Sequence, residues 1–208
     1  MNFKKIGLML SALVVTVGLV GCSGVQLPEG DVKVVKQDVT GVIGLLLESA
    51  DYGQDQSTVA SMLLPNGFQY DITMNIEQYE NGKLVNTITL PTYTTATMEK
   101  NSIVHMILNV GQGDVKSIYS LAEVDAEKTT DTKNPEYKVT KMNEAPYDFD
   151  ARTEVEQYGG ELGQDVVLAA YVKFKEGGIK EAIDLATYKE NVANYAAANI
   201  VKVNIVQK

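Results

Sequence analysis

Between residues 68 and 77 apolar and polar side chains alternate without a break. Phe68, Tyr70, Ile72, Met74 and Ile76 fall on one side, and Gln69, Asp71, Thr73, Asn75 and Glu77 on the other. A repeat of two marks a strand with one face buried and one wet, because a helix would scatter these apolar positions around its circumference. Asn81-Gly82 follows, the dipeptide best suited to the positive φ angles of a type I′ turn, and residues 84–90 resume an extended, β-branched pattern. The stretch predicts a hairpin and commits the chain to antiparallel sheet.

The same pattern recurs. Residues 103–110 and 115–124 flank Gly111-Gln112-Gly113-Asp114 as a second hairpin. That turn lacks the Lys and Ser/Thr of a phosphate loop and opens no helix. Residues 137–142 make a short strand. Val166, Leu168, Ala170, Val172 and Phe174 alternate strongly before a turn at Glu176-Gly177-Gly178, and residues 200–206 alternate again. Residues 32–35 and 42–47 suit strands or short buried segments, although Gly41 and Gly44 interrupt the second, and 59–64 is an apolar run between two loops. Residues 92–97 read as an edge strand or an exposed loop, 125–135 as a charged loop, and 144–163 as an irregular connection holding Pro146, Gly159, Gly160 and Gly163. Leu185, Tyr188, Val192 and Tyr195 recur at helical spacing within residues 180–198, predicting one short amphipathic helix in the C-terminal half. Roughly seven strands with hairpin turns imply a mainly β fold, an antiparallel β-sandwich of immunoglobulin-like size, without the cysteine pair and tryptophan of antibody domains.

The first residues follow a different rule. Lys4 and Lys5 precede an apolar run over residues 6–20 that contains no acid. It is shorter than the stretch of about 20 residues that a spanning helix requires, so it reads as an export signal. It ends in Leu19-Val20-Gly21-Cys22, which resembles the lipobox of bacterial lipoproteins. The resemblance implies cleavage between Gly21 and Cys22, diacylglyceryl transfer to the Cys22 sulfur, and a location on the extracytoplasmic face of the cell membrane. One acyl chain holds a protein marginally and two hold it firmly, at about 0.8 kcal/mol per buried CH₂. The expected organisation is a signal peptide over 1–21, a tether over 22–31 and a single β-sandwich domain over 32–208. Residues 77–85, 166–171 and 184–205 also resemble uncharacterised extracytoplasmic β-domains of Gram-positive bacteria, which implies location and fold but no activity.

Beyond residue 21 the chain carries 16 basic against 27 acidic residues, because residues 1–21 hold Lys4 and Lys5 and no acid; the formal charge is −11. Nucleic acid and anionic lipid surfaces demand clustered Lys and Arg, so neither is an expected partner. Arg152 is the only arginine, and with Cys22 spent on lipid no thiol remains for a disulfide, a thiolate metal site or a nucleophile.

Little else carries chemistry. His105, the only histidine, alternates onto the face opposite Val104, Met106, Leu108 and Val110, together with Asn109. It reads as a surface or half-buried structural residue, since one histidine makes no His-rich metal site and no Gly-x-Ser-x-Gly turn presents a nucleophile. Asp148, Asp150, Glu154 and Glu156 form the densest acidic cluster, expected to be a solvated loop with Arg152 as counter-charge. Two other readings remain: a Ca²⁺-stabilised module, although the ordered EF-hand pattern is absent, or the acid pair of a cell-wall or extracellular glycan-acting enzyme. Tyr93, Tyr119, Tyr147 and Tyr158 fit the rim of the core better than a stacking platform, in a chain with no tryptophan. The expectation is a non-enzymatic, lipid-anchored module with no cofactor and no metal, binding an envelope protein, peptide or glycan through loops or a sheet edge.

Overall fold

The computed structural model describes residues 27–37, 44–45, 57–99, 102–110, 115–123, 137–142 and 149–208. Twelve strands occur among them, in two antiparallel sheets. The first sheet has the order β10-β1-β2-β6-β7-β8, built from β1 (Val32–Lys36), β2 (Ser57–Leu63), β6 (Ser102–Val110), β7 (Val115–Glu123), β8 (Tyr137–Met142) and β10 (Gln157–Gly160). The second has the order β4-β3-β12-β11-β9, from β3 (Tyr70–Glu80), β4 (Lys83–Thr89), β9 (Ala151–Glu154), β11 (Asp165–Phe174) and β12 (Tyr195–Gln207), while β5 (Tyr93–Thr94) pairs with β3. The arrangement is sandwich-like, as the alternation requires: two half-apolar sheets bury their apolar faces against each other.

Tyr70, Ile72, Met74 and Ile76 of β3 point into that core with Val201, Val203 and Ile205 of β12. Val34, Met62, Met106 and Leu108 meet them from the first sheet. The predicted hairpin closes where expected: Glu80 pairs with Lys83, and Asn81 and Gly82 have φ of 49° and 84°, as a two-residue I′ loop demands. The tip is also held from outside. A Cβ on Gly82 would stand 2.7 Å from the Ala193 Cβ, and Asn81 N donates to Ala196 O at 3.0 Å.

Four elements differ from expectation. The segment read as an irregular connection contains β9 and β10, pairing with β11 and β1. Gly159 is there for close approach: a Cβ on it would stand 1.9 Å from the Glu29 carbonyl oxygen, so the end of the expected tether lies against β10. The predicted helix shrinks to α1 (Tyr188–Asn191) and a 3₁₀ turn over Val192–Asn194, and Tyr195 already belongs to β12. The apolar spacing was nonetheless real. Ile183, Tyr188, Val192 and Tyr195 all pack on Ala170, Val172, Ala198 and Ile200, so residues 175–194 form a strap across the outer face of the second sheet. Thr153 Oγ1 donates to Ile183 O at 2.8 Å and Tyr195 Oη to Glu181 O at 3.1 Å, which anchors the strap. β6 is buried on both faces, not one. Finally, the alternating set of β11 does not share a face: a bulge between Val167 and Ala169 leaves Val166 and Leu168 in the core between the sheets and turns Ala170 and Val172 to the outer face beneath the strap.

Candidate functional site

Of the acidic cluster, Asp150, Glu154 and Glu156 are described, and Glu154 and Glu156 come together on Lys36 while Asp150 is engaged elsewhere. Gly21, Cys22 and Asp148 lie outside the described residues, as does Tyr147. Asp150 is exposed, and its Oδ2 accepts a hydrogen bond from Phe174 N at 2.7 Å; Asp150 N donates to Val172 O at 2.9 Å, so Asp150 extends the β9–β11 pairing. Glu154 turns toward the core side of β9, its side chain only 7% exposed, 3.5 Å from Lys36 Nζ and 3.4 Å from Arg152 Nη2. Glu156 is exposed and accepts from Lys36 Nζ at 2.9 Å. Lys36 thus bridges two carboxylates from β1, and its pKa is raised: the Glu156 hydrogen bond is the largest influence, opposed by burial and supported by the charge of Glu154. Arg152 Nη1 also donates to Ser57 O at 3.0 Å. The arrangement clamps β9 of one sheet to β1 and β2 of the other. Among the described residues no group of three or more His, Cys, Asp or Glu is placed to hold a metal ion.

His105 shares a face with Asn109, as the alternation implies, but that face is buried and His105 is 6% exposed. Ser61 Oγ lies 2.9 Å from its Nδ1, Asn109 Nδ2 donates to Ser57 Oγ at 3.2 Å, and His105 Nε2 has no partner. Burial pushes the imidazole down to about 4, so it is neutral at physiological pH and acts as a hydrogen-bonded spacer between β2 and β6. Tyr93 and Tyr119 are core residues, stacked across the two sheets at 5.1 Å and 7°, and Tyr158 packs half-buried against the same core.

Two features were not singled out in the sequence. Under the strap, Lys202 of β12 forms an ion pair with Glu77 of β3; Tyr79 Oη donates to Glu77 Oε2 at 2.9 Å and Tyr188 Oη does so at 3.4 Å. Lys202 Nζ stands 5.5 Å from the Tyr188 ring centroid. Burial raises the Glu77 carboxyl, but the hydrogen bonds from Lys202 and Tyr79 outweigh it and the net pKa is lowered. Every polar group in this cluster is engaged, so its work is to seat the strap.

The second is β4, which ends its sheet order. Five of its residues in succession, Lys83 to Thr87, are exposed, and Leu84 and Val85 expose 52% and 50% of their surface. Gln78 pairs with Asn86 and Tyr79 with Leu84, so Val85 is the extra residue of a β-bulge. Leu90 N donates to Met74 O at 2.9 Å. By the alternation of an antiparallel ladder, Ile88 likewise bonds toward β3, while the backbone groups of Thr87 and Thr89 turn away from it. On the adjoining outer face Thr89 donates to Asn75 at 2.7 Å and Thr73 and Thr92 lie 2.8 Å apart. β4 thus presents an open edge and an exposed apolar pair beside a hydroxyl-rich stretch of the outer face, the kind of feature that strand addition uses.

No match was found to this chain among protein-family models, curated proteins or solved structures. Among the described residues no helix is long and apolar enough to cross a membrane.

Proposed function

We propose that this chain is a lipid-anchored, non-enzymatic binding module on the extracytoplasmic face of a bacterial cell membrane, tethered through Cys22 and engaging a protein, peptide or glycan of the envelope at the β4 edge. The observation that carries the binding role is that edge: a rigid hairpin, pinned at Gly82 against Ala193, holds Leu84 and Val85 in solvent. Edge strands usually carry devices that block pairing. Here the bulge at Val85 is the only such device, and Lys83 the only charge, in β4.

The test joins both halves. A photo-crosslinking residue at Val85 in the full chain, expressed in its native envelope, yields a discrete adduct in the membrane fraction. Thr87→Pro, which removes an outward N–H and spares the ladder to β3, abolishes the adduct, and Cys22→Ser moves the protein out of the membrane fraction with its fold intact. Persistent membrane association of Cys22→Ser refutes the anchor. An adduct unaffected by Thr87→Pro, or none in the membrane-bound protein, refutes binding at the edge.

A further inference from the structure

The core side of the second sheet is interrupted by a line of polar residues running across all five strands of its main order. Arg152 of β9 pairs with Tyr171 of β11, Tyr171 with Asn199 of β12, Asn199 with Gln78 of β3, and Gln78 with Asn86 of β4. Both margins of the line are satisfied. Arg152 donates to Ser57 O, the Tyr171 hydroxyl lies 3.1 Å from Thr58 Oγ1 of the opposite sheet, and Asn86 Nδ2 donates to Gln78 Oε1 at 2.8 Å. The middle is not: Asn199 is 0% exposed, and neither its Oδ1 nor its Nδ2 has a partner. Exchanging the two atoms by flipping the amide changes nothing, since both lack one.

The Tyr171–Thr58 contact sets how the sheets face each other. β11 lies over β2; because Glu154 of β9 meets Lys36 of β1 and Tyr93 beside β3 stacks on Tyr119 of β7, β12 lies over β6. On the facing sheet the row through Thr58 continues to Leu108 and then to Ser117, and Ser117 Oγ is also buried without a partner. Asn199 thus faces the Leu108 position, between Thr58 and Ser117. A buried amide with neither end satisfied is among the costliest groups a core can hold, and native cores meet that cost with ordered water.

We propose that the sandwich encloses an internal hydration site between Asn199 of β12 and Ser117 of β7. The ligand class follows from the walls. The site must both accept from and donate to a primary amide, as water does. It offers an ion no compensating charge, because the Arg152 guanidinium is already held by Ser57 O and Glu154. With Asn199 and Leu108 at 0%, Ser117 at 1% and Tyr171 at 2% exposure, nothing larger has a route in. This site is independent of the β4 edge and of the lipid anchor.

Oxygen-17 magnetic relaxation dispersion on the folded protein reads water held longer than the tumbling time. The wild type is expected to hold such water, Asn199→Leu to lose it while keeping its far-UV spectrum, and Ser117→Ala to shorten its residence. Water–amide cross-relaxation at the Asn199 side chain in the wild type gives the same answer without any substitution, should Asn199→Leu fail to fold. No long-lived water in the wild type, or the same long-lived water in both variants, overturns the proposal.

Discussion

Acidification from pH 7 to pH 4 isolates the contribution of one buried side chain. His105 is the chain's single histidine, and burial lowers its pKa from 6.5 to about 4. An unfolded chain therefore takes up a proton near pH 6.5 that the folded chain refuses until about pH 4. Between those limits the unfolded state binds more protons, so stability rises with pH. The contribution is fully present above about pH 6.5 and is lost as the pH falls toward 4. At about 1.4 kcal/mol per pH unit this amounts to roughly 3 kcal/mol, a large share of the 5–15 kcal/mol typical of a domain. Carboxylates such as Glu77, whose pKa is lowered, act in the same direction but only as the pH falls below about 4.5, so the interval from 6.5 to 5 belongs mainly to His105. The assay is urea unfolding at half-unit pH steps for the wild type and for His105→Gln, which is neutral throughout and retains an amide facing Ser61. The wild-type curve should fall steeply across that interval and the variant's should stay nearly flat. One imidazole resonance, followed by NMR, gives the folded titration directly. Equal slopes for the two proteins, or an imidazole that titrates near 6.5 in the folded state, would show that the side chain is hydrated and the reasoning wrong.

Other substitutions probe the remaining features. Lys202→Met leaves Glu77 half-buried without its cation and should cost about 3 kcal/mol, with Glu77→Gln on top recovering part of it; a double-mutant cycle by chemical denaturation measures the coupling, and additive losses would refute the pair. Gly82→Ala meets both a left-handed φ and the Ala193 side chain, so a loss of about 1–3 kcal/mol is expected in thermal melts. Ile183→Ala removes an anchor of the strap and should lower stability by about 2–4 kcal/mol while opening residues 175–194 to limited proteolysis; cleavage unchanged from wild type would mean the strap is held without it.

The strand easiest to read was the one with a wet face. β3 announced itself because its polar side meets solvent or half-buried neighbours, and the Asn81-Gly82 turn tied it to β4 through a local backbone requirement. β11 was legible as a strand but not in its facing, because the bulge after Val167 and the strap over its outer side leave no wet face to read. β9 and β10 were illegible because their evidence is non-local. Gly159 and Gly160 look like loop residues until residues 28–30 are seen lying against them. The overlong helix has a related cause: apolar spacing reports which side chains share a buried patch, and a strap with one helical turn satisfies it as well as a full helix. His105 was placed on the right face, but alternation within one strand says nothing about whether that face is covered. Glu77 and Lys202 are 125 residues apart, and Asn199 carries no mark of its burial; only the β3–β12 register brings the first two together and sets the third in the core.

That register has a consequence for how the molecule comes into being. β12 lies between β3 and β11, yet it follows every other strand in chain order. As the chain is made, β3 and β4 can close their hairpin early, but the second sheet stays divided until residues 195–207 arrive to join its halves. A chain that completes this central strand last makes the longest-range pairings of that sheet at the end. A stall after β11 and before residue 195 leaves two orphaned half-sheets with open edges.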